Sequence, residues 1–67
     1  MMQVIVNGES RQFQSGISIA DLLKLLKLNS RAMAVEVNQQ LKPRDLHEST
    51  FINDGDVLEI VTLVGGG

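Results

Sequence analysis

Apolar residues occupy every second position near the start of the chain, at Met2, Val4 and Val6. A period of two predicts a β-strand with one buried face. Asn7-Gly8 follows this strand, and Asn-Gly is the preferred pair for a two-residue type I′ hairpin turn. We therefore predict that Glu9–Phe13 returns antiparallel to the first strand as a second strand.

The spacing of apolar residues changes to a helical period after Gly16. Ser18 and Asp21 form the pattern of a capping box, in which each side chain bonds the backbone N–H of the other residue. A helix is therefore predicted to begin near residue 19. Its apolar stripe, at positions i, i+3, i+4 and i+7, consists of Ile19, Leu22, Leu23 and Leu26. In so short a chain, this stripe is expected to face the core.

Two short strands are predicted after the helix. Met33–Val37 alternates again between apolar and other residues, as a half-buried strand does. Asn38-Gln39 suits a tight turn, because asparagine tolerates the left-handed backbone region. Gln40–Lys42 is predicted to be a fourth strand that ends at Pro43, and its short length suits the edge of a sheet.

The last third of the chain contains a polar segment, a turn and the longest apolar run. Residues 44–50 are polar and irregular, and Leu46 is expected to anchor them in the core. The sequence Asn-Asp-Gly-Asp at 53–56 predicts a turn. Residues 57–64 are rich in β-branched and aliphatic side chains, which is typical of a central strand.

The order of these elements predicts an α+β fold. A single helix shields its apolar stripe by lying across one face of a sheet. We expect a mixed sheet of four to five strands with one main helix packed across one face. If the last strand lies beside the first, the two run parallel in the sheet centre. Alternation then directs Val4, Val6, Leu58 and Ile60 toward the helix, and Ile5, Val57, Glu59 and Val61 toward the open face.

The composition is that of one small globular domain without thiol chemistry. Of the 67 residues, 43% are hydrophobic and none is cysteine, so covalent chemistry must use another group. The six basic residues are scattered and the net charge is −2, which argues against a nucleic-acid partner. No apolar run approaches the roughly 20 residues of a membrane span, and the start lacks a signal-peptide pattern. We expect a cytoplasmic protein without a membrane partner.

The ionisable side chains form no pattern typical of a metal or catalytic site. His47 has no second ligand-type residue at metal spacing, so we predict no metal site. We interpret His47 as an exposed loop residue. The acids of the second half favour local turn hydrogen bonds, with attraction to a basic partner as the alternative: Asp45, Glu48, Asp54, Asp56 and Glu59.

The strongest candidate for chemistry is the end of the chain, Gly65-Gly66-Gly67. Residues without a β-carbon adopt backbone conformations closed to other residues and enter channels too narrow for side chains. An α-carboxyl group has an unperturbed pKa of about 3.3 to 3.7, so it is ionised at neutral pH and available as an oxygen nucleophile. The alternative is a frayed end without a function.

Five segments, in this order and spacing, resemble the ThiS family of bacterial sulfur-carrier proteins. They are MQVIVN at 2–7, IADLL at 19–23, AVEVN at 34–38, DGD at 54–56 and GG at 66–67. The resemblance covers essentially the whole chain and implies the ubiquitin-like β-grasp fold. With it we expect a β-grasp domain at residues 1–64 and a flexible glycine tail at 65–67.

The resemblance also implies a sulfur carrier that serves as a protein co-substrate and is not an enzyme. Gly67 would be the modified residue, because its carboxylate is adenylated, converted to a thiocarboxylate and used to donate sulfur to the thiazole of thiamin. The implied partners are a ThiF-type adenylyltransferase that uses ATP, a ThiG-type thiazole synthase and a sulfur donor such as a cysteine desulfurase. No cofactor is expected on the carrier itself.

Each tail residue has an expected role within this hypothesis. Gly67 reacts, because a β-carbon would crowd both attacks on its acyl carbon. Gly65 and Gly66 provide reach, while Leu63 and Val64 are expected to be gripped at the mouth of the partner's site.

A docking surface is predicted beside the tail. Ile5 and Val61 are expected to bind the partner from adjacent central strands next to the exit of the tail. The alternative is that both are ordinary exposed apolar residues.

Three other functions stay open. The small subunit of molybdopterin synthase shares the fold, the diglycine end and the thiocarboxylate, although that family tends to carry prolines before its diglycine. A ubiquitin-like protein modifier would join Gly67 to a lysine of a target. A β-grasp interaction module would have a tail without a function, so that deleting the tail would change nothing.

Overall fold

The structure is a computed structural model that describes residues 1–63. Val64 and the glycine tail at 65–67 lie outside the described residues, as does the predicted domain boundary. Residues 1–63 contain five strands and one α-helix, together with short 3-10 turns at Ser30–Ala32 and Arg44–Leu46. The helix is α1 (Ile19–Leu25), and the strands are β1 (Met2–Val6), β2 (Glu9–Phe13), β3 (Met33–Val37), β4 (Gln40–Lys42) and β5 (Val57–Thr62).

The strands form one mixed sheet in the order β2-β1-β5-β3-β4. β1 and β5 run parallel, with Ile5 beside Val57 and Val6 beside Leu58. β5 also pairs antiparallel with the whole of β3, from Leu58 beside Val37 to Thr62 beside Met33. The prediction of a central last strand parallel to the first is therefore confirmed, as is the two-layer α+β architecture with a helix in the crossover.

The helix begins through the predicted capping box. The Ser18 hydroxyl accepts a hydrogen bond from the Asp21 backbone N–H at 3.1 Å, and the Asp21 carboxylate accepts one from the Ser18 N–H at 3.1 Å. This bond to the Ser18 backbone is the main cause of a pKa of Asp21 below its usual value. The box therefore holds an ionised Asp21 in the first turn, where a negative charge also suits the helix dipole.

The core lies between α1 and the inner face of the sheet. Three of the predicted stripe residues, Ile19, Leu22 and Leu23, are fully buried, while Leu26 packs against the core from its rim. All four residues expected to face the helix are buried as well: Val4, Val6, Leu58 and Ile60. The period-two and helical patterns in the sequence therefore predict the buried face of each layer correctly.

The segment between β4 and β5 corrects two expectations. Leu46 was expected to anchor it, but its side chain is 46% exposed, whereas His47, expected to be exposed, is only 2% exposed. The reason is a 3-10 turn that begins after Pro43 and directs residue 47 inward. The buried imidazole is accommodated because its Nε2–H donates to the Lys42 carbonyl at 2.9 Å. The backbone carbonyl of His47 also accepts a hydrogen bond from Ala20 at the start of α1.

Truncating these two neighbours is expected to have unequal effects on stability. His47→Ala removes a buried ring and leaves the Lys42 carbonyl without its donor, so it is expected to lower the free energy of unfolding by about 2 kcal/mol. Leu46→Ala, the control, removes a half-exposed side chain and is expected to cost less than about 1 kcal/mol. Urea unfolding followed by circular dichroism measures both. A larger loss of stability for Leu46→Ala than for His47→Ala would instead support the expectation that Leu46 anchors this segment.

Candidate functional site

The described chain ends at the carboxyl end of β5, directly before the tail. The Leu63 N–H donates to the Ala32 carbonyl at 2.7 Å, and Thr62 lies beside Met33. The predicted last strand, 57–64, is therefore shorter in the structure, because β5 ends at Thr62. Leu63 is still held to the residue before β3, so this side of β5 fixes the backbone as far as the last described residue.

The opposite side of β5 loses its strand neighbour early. β1 ends at Val6, which lies beside Leu58, whereas β5 continues for four residues beyond that position. The chain turns away at Asn7-Gly8, both with positive φ, as a type I′ turn requires. The last residues of β5 therefore have β3 as a strand neighbour on one side only.

The outer face of the sheet, which the helix does not cover, carries exposed apolar side chains along β5. We call this the open face and define it by Ile5, Val57, Glu59, Val61 and Glu36. Val57 and Val61 are exposed, and so is Ile5 at 38%. The alternation predicted from the sequence is correct, because these residues point away from the buried Leu58 and Ile60.

Ile5 and Val61 do not share one end of the sheet. Ile5 lies beside Val57, at the start of β5, and Val61 lies four residues later beside Ala34. At about 3.3 Å per residue the two positions are roughly 13 Å apart along the strand. The expectation that Ile5 and Val61 lie side by side is therefore wrong, because Val61 and the exposed Leu63 lie near the end of β5 and Ile5 does not. Val64 and Gly65 to Gly67 lie outside the described residues.

Two carboxylates oppose each other in the middle of the open face. Glu36 of β3 is the direct partner of Glu59 of β5, and both are exposed. Like charges placed directly opposite across a strand pair destabilise a sheet. Within residues 1–63 the one ion pair joins Arg11 to Glu9, so no basic side chain of this part of the chain compensates the two carboxylates.

Neutralising one of these carboxylates is expected to stabilise the free protein. Glu59→Gln removes the repulsion across β3 and β5, so the free energy of unfolding should rise by about 0.5 kcal/mol at low salt, and the gain should shrink at high salt. Glu48→Gln makes the same change of net charge at an exposed position away from the sheet and is the control. Thermal unfolding at two salt concentrations measures both. An equal rise in the free energy of unfolding for both variants would show that the gain comes from the lower net charge and not from the Glu36–Glu59 repulsion.

Two of the five acids, Asp54 and Asp56, have the local role that the sequence favoured. The buried Asp56 carboxylate accepts hydrogen bonds from the Asn53 N–H at 2.8 Å and from the Asn38 carboxamide at 3.0 Å. The Asp54 carboxylate accepts one from the Gln3 N–H at 2.7 Å. These bonds order the turn that delivers the chain into β5.

Residues 1–63 show neither a cluster of metal-ligating side chains nor a membrane-spanning helix. Among residues 1–63, no three His, Asp or Glu side chains lie close enough together to hold a metal ion. Within the same residues, α1 is too short to cross a bilayer, and no other helix is long and apolar enough to do so.

The sequence profile of the ThiS family matches residues 4–67, nearly the whole chain. The chain belongs to the ThiS family. The resemblance drawn from five short segments is thereby confirmed. The crystal structure of the thiamine biosynthesis protein ThiS from Geobacter metallireducens superimposes with a TM-score of 0.84 at 29% identity, covering 98% of this chain and all of that one. The β-grasp fold is thus confirmed against a ThiS structure.

Two sequence relatives of this ThiS-family chain are proteins of different length and name. The sulfur carrier protein ThiS of Escherichia coli is 29% identical over 66 residues, which is 98% of this chain and the full length of that protein. A thiazole synthase of Paramagnetospirillum magneticum is 41% identical over 98% of this chain. The chain spans only about a fifth of the length of that thiazole synthase, 20%.

Proposed function

We propose that this chain is a sulfur carrier for the synthesis of the thiamin thiazole, with the Gly67 carboxylate as its reactive group. The observation that carries the proposal is that the ThiS-family match continues to Gly67 itself. The ThiS of E. coli, a protein of matching length, is named a sulfur carrier, which supports the same role here. The carrier would act as a co-substrate of its partner enzymes.

The chemistry needs two steps at the same carboxyl group, the first at its oxygen and the second at its carbon. The Gly67 carboxylate attacks the α-phosphorus of ATP, so that an acyl-adenylate forms and pyrophosphate leaves. A hydrosulfide equivalent from the sulfur donor then attacks the acyl carbon, and AMP leaves with the oxygen, which yields the thiocarboxylate. ATP is required because a free carboxylate offers only oxide as a leaving group, whereas the mixed anhydride offers AMP.

The partner would supply the catalytic groups and the nucleotide site. We assign ATP binding to a ThiF-type adenylyltransferase, and we place no cofactor on the carrier. The open face and Leu63 would dock on this enzyme, because apolar side chains beside the exit of the tail hold the carrier while its end reaches the active site. Glu36 and Glu59 would favour a basic region on the docked enzyme.

A ThiG-type thiazole synthase is the proposed acceptor of the sulfur. Its support is the P. magneticum relative, because about a fifth of that thiazole synthase corresponds to nearly all of this chain. A carrier and a synthase that are joined in one polypeptide have a high effective concentration for one another. A separate carrier would need a docking surface to reach the same synthase.

Reconstitution with purified partners tests the proposal. The chain is incubated with a ThiF-type enzyme, ATP and a sulfur donor, and the product is measured by intact mass spectrometry, with reactions lacking ATP as the control. We expect a mass increase equal to one exchange of oxygen for sulfur, and transfer of that sulfur when a thiazole synthase and its substrates are added. Conjugates to target lysines would instead support a protein modifier. Transfer only with a molybdopterin synthase large subunit would support that pathway.

A further inference from the structure

Asn7 makes two hydrogen bonds to one residue of the last strand. Its carboxamide Nδ2 donates to the Ile60 carbonyl at 3.0 Å, and its Oδ1 accepts from the Ile60 N–H at 2.7 Å. These are the two backbone groups of Ile60 that a continued parallel β1 strand would bond through two different residues, and here one carboxamide bonds both. The side chain of Asn7 therefore extends the β1 side of the sheet at the point where the β1 backbone has turned away.

This arrangement is more than a requirement of the turn. Asn7 has a φ of 50° and precedes Gly8. The tolerance of asparagine for the left-handed backbone region would be enough to account for the turn. Glycine would satisfy that requirement equally well. The contact with Ile60, 53 residues away in sequence, is an additional property of the side chain that turn preference does not explain.

The position of Ile60 gives this contact its consequence. Among residues 1–63, no strand lies on the β1 side of β5 beyond Leu58, and β3 lies on the other side. Ile60 is three residues before Leu63, the last described residue, whose N–H is bonded to Ala32. The end of β5 is thus held between the Asn7 carboxamide on one side and the start of β3 on the other.

We propose that Asn7 is a positioning residue for the carrier tail, an inference that rests on the sulfur-carrier function proposed above. By bonding both backbone groups of Ile60, it keeps the end of β5 extended and restricts the directions in which the following residues leave the sheet. A tail that must enter a narrow active site loses less conformational freedom if its base is already oriented. Asn7 does not touch the reacting carboxylate, so its effect on the chemistry is indirect.

The second hairpin contains a matched control. Asn38 also has a positive φ, 51°, in a tight turn, and its side chain also makes two hydrogen bonds. Its Oδ1 accepts from the Val57 N–H at 3.0 Å, and its Nδ2 donates to the Asp56 carboxylate at 3.0 Å. Asn38 therefore holds the first residue of β5, whereas Asn7 holds the end that precedes the tail.

Asn7→Gly and Asn38→Gly test the proposal first in the free protein. Both substitutions preserve the turn conformation and remove two hydrogen bonds, so their effects on global stability should be similar. Amide hydrogen exchange by NMR reads the Leu63 N–H, which bonds to Ala32 and to neither asparagine. We expect its exchange to be about five times faster in Asn7→Gly and unchanged in Asn38→Gly. Equal exchange in the two variants would overturn the proposed role at the end of β5.

The second measurement is the rate of adenylation by a ThiF-type enzyme, monitored through the release of pyrophosphate. Asn7→Gly leaves the open face intact, so we expect KM for the carrier to change little and kcat to fall on the order of tenfold. Asn38→Gly should leave kcat near the wild-type value. An unchanged kcat in Asn7→Gly, or equal losses in both variants, would refute the positioning role.

A second variant keeps the test decisive if the glycine variant is too unstable. Asn7→Asp tolerates the same φ and still accepts from the Ile60 N–H, but it places a carboxylate oxygen against the Ile60 carbonyl. We expect the same direction of change in Leu63 exchange and in kcat. If the wild-type chain itself is not adenylated, the proposed function fails, while the exchange measurement still decides whether Asn7 orders the end of β5.

Discussion

Shortening the tail by one glycine is expected to reduce thiocarboxylate formation at least on the order of a hundredfold. The chain ends in three identical residues, so deletion of Gly67 leaves a diglycine end that is one residue shorter. The terminal carboxylate then falls up to about 3.5 Å short of its place in the partner's site, and displacements of this size remove the alignment that the reaction needs. Intact mass spectrometry after reaction with ATP, a ThiF-type enzyme and a sulfur donor measures the loss.

The control for this deletion keeps the length and changes the composition. Gly65→Ala retains Gly66, Gly67 and the reach of the tail, and adds one β-carbon at the position farthest from the reacting carboxylate. We expect most of the sulfur loading to remain. If the shortened chain is loaded as well as the wild type, the carboxylate of Gly66 is an equally good acceptor and the assignment to Gly67 is wrong. A non-functional tail predicts no loading in any of the three chains.

Val61→Asp is expected to raise KM for the carrier in adenylation about tenfold or more. Val61 is 58% exposed on the open face, so the fold tolerates the substitution. In the docked complex, however, it would bury an unpaired carboxylate against the partner. Initial rates of pyrophosphate release at several carrier concentrations separate KM from kcat, and circular dichroism verifies that the variant is folded.

Leu25→Asp is the matched control for Val61→Asp. Leu25 has a similar exposure, 61%, but it lies at the end of α1 and away from the open face. We expect its KM to stay near the wild-type value. Ile5→Asp adds a second comparison, because Ile5 lies at the far end of β5 and should have a smaller effect than Val61. Equal KM values for Val61→Asp and Leu25→Asp would remove Val61 from the docking surface.

The positioning and docking predictions differ in the kinetic constant that they affect. Substitution on the open face should weaken the encounter and raise KM, whereas loss of the Asn7 carboxamide should leave the encounter intact and lower kcat. Deletion of a tail residue should prevent the reaction after docking. The three variants thus test separate parts of the carrier: the surface that binds, the base that orients the tail, and the carboxylate that reacts.

Local sequence patterns were sufficient to predict most elements. The bounds of β2, β3 and β4 agree with the prediction, because alternation, Asn-Gly and a terminating proline act within a few residues. The capping box located the start of α1 for the same reason. The identity of the family also followed from sequence, since five short segments in their order and spacing resembled the family whose profile matches residues 4–67.

Expectations that depended on contacts between distant residues were less accurate. The burial of His47 in place of Leu46 depends on a 3-10 turn and on the hydrogen bond to the Lys42 carbonyl. The separation of Ile5 from Val61 depended on the register between β1 and β5. No tight turn joins β1 to β5, so turn chemistry does not fix their register, and the period of two fixes only which face each residue occupies.

For this protein, the sequence by itself determined the buried faces, the turns, the ThiS family and the glycine end that carries the proposed chemistry. These features depend on residue type and on spacing along the chain. Only the tertiary structure decided that Asn7 bonds Ile60, that Glu36 opposes Glu59 and that Val61, rather than Ile5, lies near the end of β5. The physical reason is that strand register brings together residues tens of positions apart, and their contacts exist only once the sheet has formed.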